Sequence, residues 1–325
     1  MNEMTFIAGN GFDSCHASCI LPLGGGRALS VCFAGSREGA DDVGIWLSAR
    51  EDGAWSAPRR IAKVSDVAHW NPVLFKYGEG VRLVFKVGRT IHAWRSMTML
   101  SRDGGSTWSQ PHGYACNPAG GPVRSHPIHL ANGALLAPCS DEGCRWRPRV
   151  DISHDGGQTF QRLSDIPVEL ADTASPRFIA GRGAIQPTLW ESMPGHVHAL
   201  LRTSAGRIFR ADSQDSGRTW CMAYPTELFN NNSGIDIVRD GDGTLYMALN
   251  PVRGDFAART PLCVYKSVDG GISFQPFRTL ESMLTDDVTG RAAEFSYPSI
   301  AICEGEIWVS YTYCRRAIAV WHEKL

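Results

Sequence analysis

Six short apolar stretches of the sequence begin with a polar side chain that could take part in chemistry. Four of these side chains precede a proline and two do not: Asn71, His126, Gln186, Tyr297, then His16 and Ser233. Proline is tolerated at the first residue of a strand, so each stretch is predicted to start one. If these strands are the innermost ones of a repeated unit, the polar groups converge on one axis and form a pocket.

Two cationic side chains are further candidates for the wall of this pocket. Lys86 lies between apolar neighbours in a predicted strand, and Arg147 ends the short run Arg145-Trp-Arg147. Such a lysine either faces inward or extends its charge to water at a sheet edge. Tryptophans in the same regions either stack on a sugar ring or pack between sheets; they are Trp70, Trp94 and Trp146.

The element that must position these side chains is a repeated turn. Four copies share the pattern Ser-x-Asp-x-Gly-x-Thr/Ser-aromatic: Ser101–Trp108, Ser153–Phe160, Ser213–Trp220 and Ser267–Phe274. A degenerate copy spans Ser48–Trp55. Aspartate accepts backbone N–H groups within a tight turn, and glycine supplies the positive φ that the turn needs. Each copy is therefore predicted to be a hairpin corner and not a catalytic site.

The period of this repeat predicts the architecture. The closing aromatic residues recur every 52 to 60 residues, which suits a four-stranded propeller blade. The 325-residue chain then holds six such blades, so we expect an all-β, six-bladed propeller of antiparallel blades forming a single domain over residues 1–325. The last period contains about three strands, and the run Thr5–Ala8 is predicted to supply the missing outer strand and close the ring.

Composition excludes several classes of partner. Lysine plus arginine number 32 and aspartate plus glutamate 33, so no bulk basic field attracts nucleic acid or an anionic membrane. No apolar run approaches the roughly 20 residues that span a bilayer, and the first residues do not resemble a secretory signal. Many of the ten cysteines lie in apolar strand-like runs, which favours reduced thiols and a cytoplasmic location.

The four turn boxes are the Asp-box, also called the bacterial neuraminidase repeat. With six blades, the chain resembles the sialidase superfamily. This resemblance implies three arginines that bind a substrate carboxylate, a tyrosine nucleophile helped by a glutamate, and an aspartate as acid/base. The box itself is typical of the fold and does not specify an activity, so function depends on the site.

Several residues match the superfamily's site. Arg202 and Arg259, each upstream of a turn box, resemble the second and third arginines of the triad. Tyr297, in the last blade, resembles the nucleophile. Arg37 and Asp42 resemble the first-blade arginine and acid/base aspartate, and Asp41 is the neighbouring alternative for the latter.

Two positions depart from the superfamily's pattern. His16 lies where the first arginine of the triad is expected, and Gln186 lies near the expected place of the glutamate. A glutamine cannot act as a base. Glu294 is close to Tyr297 in sequence, but it precedes a strand and its side chain could point elsewhere.

The histidines open a second interpretation. A lyase that acts on a uronate linkage, for example a rhamnosyl-glucuronate, removes the proton next to the carboxylate and needs a base near neutral pKa. His16 or His126 would be that base, Arg202 and Arg259 would neutralise the carboxylate, and Tyr297 would protonate the leaving oxygen. A third possibility is a glycan-binding propeller without catalysis.

We therefore expect an exo-acting enzyme on the terminal acidic sugar of a small oligosaccharide, in the first place a sialidase-like glycoside hydrolase. The expected catalytic groups are Tyr297, Asp42, His16 and His126. The expected substrate-binding groups are Arg37, Arg202, Arg259, Asn71, Gln186, Lys86 and Arg147. No P-loop, dinucleotide fingerprint or clear metal cluster is present in the sequence, so no cofactor is predicted.

Overall fold

The computed structural model describes residues 2–7, 9–114, 120–143, 145–170 and 182–325. Within those ranges the regular elements are β-strands. In chain order they are β1 (Asn2–Ile7), β2 (Ser14–Gly24), β3 (Arg27–Gly35), β4 (Gly44–Glu51), β5 (Ala54–Trp55), β6 (Arg59–Ala62), β7 (His69–Tyr77), β8 (Gly80–Val87), β9 (Arg95–Ser101), β10 (His112–Gly113), β11 (Ile128–His129), β12 (Leu135–Asp141), β13 (Arg147–Ser153), β14 (Gln161–Asp165), β15 (Ala184–Met193), β16 (His196–Thr203), β17 (Arg207–Ser213), β18 (Tyr224–Phe229), β19 (Asp236–Arg239), β20 (Leu245–Leu249), β21 (Leu262–Ser267), β22 (Gln275–Glu281), β23 (Phe295–Cys303), β24 (Glu306–Tyr313) and β25 (Ala317–Lys324).

These strands form six antiparallel sheets, which are the blades of a six-bladed propeller. Blade 1 consists of β2–β6, blade 2 of β7–β10, blade 3 of β11–β14, blade 4 of β15–β18, blade 5 of β19–β22, and blade 6 of β23–β25 with β1. The prediction of an all-β propeller with four-stranded antiparallel blades is confirmed. Blade 1 has one additional short strand, β6, which pairs with β4.

The ring is closed by the first strand of the chain. β1 pairs antiparallel with β25, so that Met4 lies opposite Ala319 and Phe6 opposite Ile318. The run predicted to close the ring overlaps β1, although Ala8 lies outside the described residues. Because the first and last strands share one sheet, the outer edge of blade 6 is covered by β1.

The apolar core lies between the faces of adjacent blades. In the largest cluster, Val31 and Leu47 of blade 1 pack together with Leu74 and Leu83 of blade 2. Burial of such β-branched and leucine side chains on both faces of each sheet is the main stabilising contribution in this kind of fold. No helix long and apolar enough to cross a membrane occurs among the described residues.

The turn boxes join the third strand of a blade to its fourth, and their hydrogen bonds explain their residue types. In blade 2, Ser101 Oγ donates to Asp103 Oδ1 at 2.8 Å and accepts Gly105 N–H at 2.8 Å. Thr107 donates its hydroxyl and N–H to the same carboxylate, and the hydroxyl bond in particular lowers the pKa of Asp103 to about 2. Gly105 has φ +96°, and a Cβ there would lie 2.8 Å from Leu29 of blade 1.

The first strands of four blades contain the same irregularity near the axis. The ladder register shifts near the beginning of each of β2, β7, β15 and β23, and β2 and β15 each have a second shift near their ends. The first shift in each strand contains a non-glycine residue with positive φ: Ala17 (53°), Asn71 (42°), Gln186 (51°) and Tyr297 (52°). A β-bulge of this kind re-aims a side chain, and a left-handed non-glycine residue costs on the order of 1–3 kcal/mol. Such positions concentrate at functional sites.

Ring closure by β1 can be tested at Phe6. This side chain is 0% exposed and packs with Phe12, Cys32 and Ile318. We expect Phe6→Ala to lower the free energy of unfolding by about 3–5 kcal/mol, because a large buried aromatic side chain is removed. Met4 lies in the same strand but is 43% exposed, so Met4→Ala is the matched control with little expected effect. Equal losses for the two variants in denaturant unfolding would contradict the packing described.

Candidate functional site

One pocket of about 370 Å³ opens on the axis at the level of the four bulges. Asn71, Gln186 and Tyr297, each at a bulge, line it, and in blade 1 the residue before the bulge, His16, lines it instead. These are four of the six polar side chains that the sequence placed in one ring. Tyr297 lies among groups from several blades and is the centre of the site.

Guanidinium groups surround the Tyr297 ring. Arg202, on β16, donates from Nη1 to Tyr297 Oη at 2.6 Å. Its Cζ lies 5.5 Å from the centre of the tyrosine ring, and the Cζ of Arg259 lies 5.6 Å from it. Arg124, buried beneath the pocket, lies 5.4 Å from the same ring and donates to the backbone carbonyls of Tyr297 and Pro298.

A third arginine reaches the pocket from blade 6. Arg315 lies on the turn between β24 and β25, where Cys314 and Arg315 both have positive φ, 47° and 58°. Arg202, Arg259 and Arg315 thus come from blades 4, 5 and 6, which are consecutive around the ring. The pocket therefore has a cationic arc on one side.

Two glutamates partly balance this arc. Glu294 Oε1 accepts from Arg259 Nη1 at 2.7 Å and from Arg315 Nε at 2.8 Å. Although burial acts in the opposite direction, these two guanidinium groups lower the pKa of Glu294. Glu38 accepts from Arg315 Nη1 at 2.5 Å at the mouth of the pocket. Glu294 is therefore held ionised as a structural counterion for two arginines.

His16 packs directly on the tyrosine. The centres of the two rings are 4.3 Å apart, and His16 Nδ1 is 2.8 Å from Thr312 Oγ1. Burial lowers the pKa of His16 well below its ordinary value, and the charge of Arg315 and the other arginines lowers it further. The imidazole is therefore neutral at neutral pH.

Blades 2 and 3 form a further part of the pocket wall, which borders the arginines at Trp146, where the Arg202 Cζ lies 5.3 Å from the ring centre. Trp70 and Trp94 belong to blade 2, and Trp146 and Glu142 belong to blade 3. Gln186 bridges the two parts, because its Nε2 donates to Glu142 Oε1 at 3.0 Å and its Oε1 accepts from Arg202 Nη1 at 3.0 Å. This wall combines flat aromatic surface with one carboxyl group.

The first-blade residues that the sequence proposed for the site lie outside the pocket. Asp42 accepts from the N–H and the hydroxyl of Ser36, so it closes an exposed loop. Arg37 is exposed on the same loop, and Asp41 lies 3.8 Å from Arg89 at the surface. The loop instead directs Glu38 into the pocket.

Three more predicted site residues also lie elsewhere. His126 lies further along the axis, with Nε2 3.2 Å from Cys19 Sγ and Nδ1 3.7 Å from Asp236 Oδ2, and it lines a cavity at the other end of the axis. His126 lies outside the pocket because the first strand of blade 3 begins after this residue, at Ile128. Lys86 is buried within blade 2 and donates to Ser96 Oγ at 2.7 Å. Arg147 is exposed, and its neighbour Trp146 lines the pocket.

Sequence reasoning missed three charged residues of the pocket, namely Glu38, Glu142 and Arg315. Each follows directly on a strand or lies in a tight loop, outside the repeated strand-entry position on which the prediction relied. The position of Glu142 had a signal in the sequence, because it lies just after the apolar stretch that forms β12. No group of three or more His, Cys, Asp or Glu side chains suited to a metal ion occurs within the described ranges.

The neutrality of His16 can be measured directly. We expect its ring to remain neutral at pH 6.5, where an ordinary histidine is half protonated, because it is buried among four arginines. Nitrogen-detected NMR of the imidazole over a pH series would report this. Arg315→Gln should raise the pKa of His16, since one of those charges is removed. Half protonation of His16 at pH 6.5 in the unmodified protein would contradict the electrostatics described.

Solved structures resemble the whole propeller. A Dyadobacter fermentans protein of unknown function superposes with TM-score 0.75 at 13% identity, over 100% of this chain and 98% of that one. The NanB sialidase of Streptococcus pneumoniae gives TM-score 0.71 at 13% identity, over 99% and 70%. The Trypanosoma rangeli sialidase gives TM-score 0.72 at 14% identity, over 99% and 59%. At these identities the likeness shows a shared fold.

A comparison with curated protein sequences found no match. The family model described as BNR repeat-like domain matches residues 26–309, which is most of the chain. With six blades and sialidases among its structural neighbours, the chain belongs to the BNR repeat-like domain family and has the sialidase-type propeller.

Proposed function

We propose that this protein is a glycoside hydrolase that releases a terminal acidic sugar, in the first place a sialic acid, from a small glycoside. The observation that carries the proposal is the arc of Arg202, Arg259 and Arg315 around Tyr297. Guanidinium groups bind carboxylates through paired, charge-assisted hydrogen bonds. Three of them from consecutive blades suit a substrate that has a carboxylate beside the bond to be cleaved.

Arg315 explains how such a clamp forms without the expected first arginine. His16 occupies that arginine's place in blade 1 and is neutral, so it contributes no positive charge. Arg315 brings a guanidinium group into the same pocket from the neighbouring blade 6. Its Nε and Nη1 are bonded to Glu294 and Glu38, so its position is fixed before a substrate binds.

Tyr297 is suited to the chemical step. Cleavage of a glycosidic bond develops positive charge on the sugar ring, and an oxygen nucleophile on the opposite side stabilises it or bonds to it. The Arg202 N–H that reaches Tyr297 Oη stabilises negative charge on that oxygen. The His16 ring packs against the Tyr297 ring and lines the same pocket as a neutral group. In support, the Trypanosoma rangeli sialidase was solved as a covalent intermediate with 2,3-difluorosialic acid.

One observation favours a second candidate, a uronate-directed lyase. The rings of His16 and Tyr297 are in contact within the cationic pocket, which places an imidazole beside a phenol hydroxyl. In such a reaction His16 would remove the proton next to the carboxylate, and Tyr297 would protonate the leaving oxygen. His126 does not share this role in either proposal, because it lies at the other end of the axis.

The two reactions differ in their products, which gives the test. In a panel of sialosides and rhamnosyl-glucuronates, we expect the protein to release free sialic acid from the sialosides, with no rise in ultraviolet absorbance from an unsaturated uronate. Tyr297→Phe should lower kcat by at least about 100-fold, a typical effect of losing a catalytic group, with a smaller change in KM. His126→Asn, far from the pocket, is the matched control and should leave kcat/KM nearly unchanged.

A rise in absorbance that disappears in His16→Asn would favour the lyase. Turnover that survives in Tyr297→Phe would contradict both reactions. Binding of acidic sugars without any product would leave the glycan-binding propeller as the function.

A further inference from the structure

The pocket contains a carboxyl group, that of Glu142, which has no role in the reaction described above. It follows β12 directly and lines the pocket, although only 6% of its surface is exposed. A carboxyl group this deeply buried is ordinarily neutral or paired with a cation. Its surroundings decide which of the two applies here.

The hydrogen bonds that hold Glu142 come from neutral side chains. Ser140 Oγ donates to its Oε1 at 2.8 Å, and Gln186 Nε2 lies 3.0 Å from Oε1 and 3.2 Å from Oε2. These bonds fix the plane of the carboxyl group at the pocket wall. Gln186 also ties it to Arg202, and through Arg202 to Tyr297, so the orientation of Glu142 is coupled to the centre of the site.

Burial is the largest influence on the proton affinity of Glu142, and it raises its pKa. The charged groups that act against burial are Arg202 from blade 4 and Lys86 from blade 2, and they lower the pKa only in part. The protonated form of Glu142 therefore persists to a higher pH than in an exposed glutamate. This carboxyl group can hold a proton that it later gives up.

The two glutamates that are bonded to the arginines are not suited to donate a proton. Glu294 is shared by Arg259 and Arg315, which lower its pKa, and Glu38 accepts from Arg315. Both lie on the side of the arginines. Glu142 follows the second strand of blade 3, shares no hydrogen bond with Arg259 or Arg315 among the described contacts, and lines the pocket as Trp146 does. If the sugar carboxylate binds the arginines and the ring lies over Tyr297, the leaving group extends toward Glu142.

We propose that Glu142 is the general acid that protonates the glycosidic oxygen, a role that rests on the glycosidase activity proposed above. The Glu142 proton moves to the glycosidic oxygen while the bond from that oxygen to the anomeric carbon breaks and its electron pair stays on the oxygen. The alcohol leaves, the positive charge on the sugar is met by the Tyr297 oxygen, and Glu142 is left as a carboxylate. Water then attacks the anomeric carbon and returns a proton to Glu142.

A general acid matters only when the leaving group is poor, and this separates it from a structural residue. The test compares Glu142→Gln with the unmodified protein on two glycosides of the same acidic sugar, one with an alkyl and one with a 4-methylumbelliferyl leaving group. We expect kcat/KM to fall by about 100- to 10,000-fold for the alkyl glycoside and by less than about tenfold for the aryl glycoside. Asp141→Asn, the adjacent carboxyl outside the pocket, is the matched control.

A second measurement does not require a variant. In the unmodified protein, kcat for the alkyl glycoside should fall on the alkaline side as Glu142 loses its proton, and this limb should be weak or absent with the aryl glycoside.

Equal losses on both substrates in Glu142→Gln, or identical alkaline limbs in the unmodified protein, would overturn this role and leave the proposed function intact. Cleavage of neither glycoside by the unmodified protein would overturn the proposed function and this role with it.

Discussion

The site depends on one backbone constraint, the bulge that interrupts the first strand of four blades at the same level of the axis. Regular strands would alternate their side chains between the two faces of each sheet. The left-handed residue in each bulge breaks this alternation, and at Asn71, Gln186 and Tyr297 the re-aimed side chain lines the pocket. Three of these residues precede proline, which donates no N–H to the ladder and so fits the interruption. Ring closure by β1 and the interblade core hold the bulges around one axis. The surrounding packing therefore keeps these residues in their strained backbone conformations.

The same geometry produces an unusual distribution of charge. Guanidinium groups from three consecutive blades lie around one tyrosine, with Arg124 buried beneath it, and the nearby carboxylates of Glu294 and Glu38 offset them only in part. Two consequences can be read from the titrating groups. His16 is kept neutral, and the carboxylate of Glu294, which bridges two arginines, is kept ionised. An anionic ligand would complete the balance, and the acidic sugar proposed above is such a ligand.

The sequence predicted the fold well because the fold repeats. The spacing of the turn boxes specified six blades, and the shortage of strands in the last period pointed to closure by the N-terminal run. The candidate site was predicted in part for the same reason, since Tyr297, Gln186 and Asn71 occupy a repeated position. His126 shares the same sequence pattern but lies at the other end of the axis, because the first strand of blade 3 is short and starts late. Arg315, Glu38 and Glu142 belong to loops, where no periodicity links a sequence position to a place on the axis. Asp42 was predicted from a motif that matches the superfamily, but its side chain closes an exposed loop and does not reach the pocket.

Recognition of a carboxylate by the arginine arc can be tested by comparing the affinities of two ligands. Calorimetric titration would compare a methyl glycoside of sialic acid with its carboxylate methyl ester, which has one additional methyl group and no charge. We expect the ester to bind about 10- to 100-fold more weakly, a difference that corresponds to hydrogen bonds with charged groups. We also expect Arg315→Gln to remove most of this difference and Arg147→Gln, at the surface, to retain it. Equal affinity for acid and ester, or the same discrimination in Arg315→Gln, would show that the arginine arc does not recognise a carboxylate.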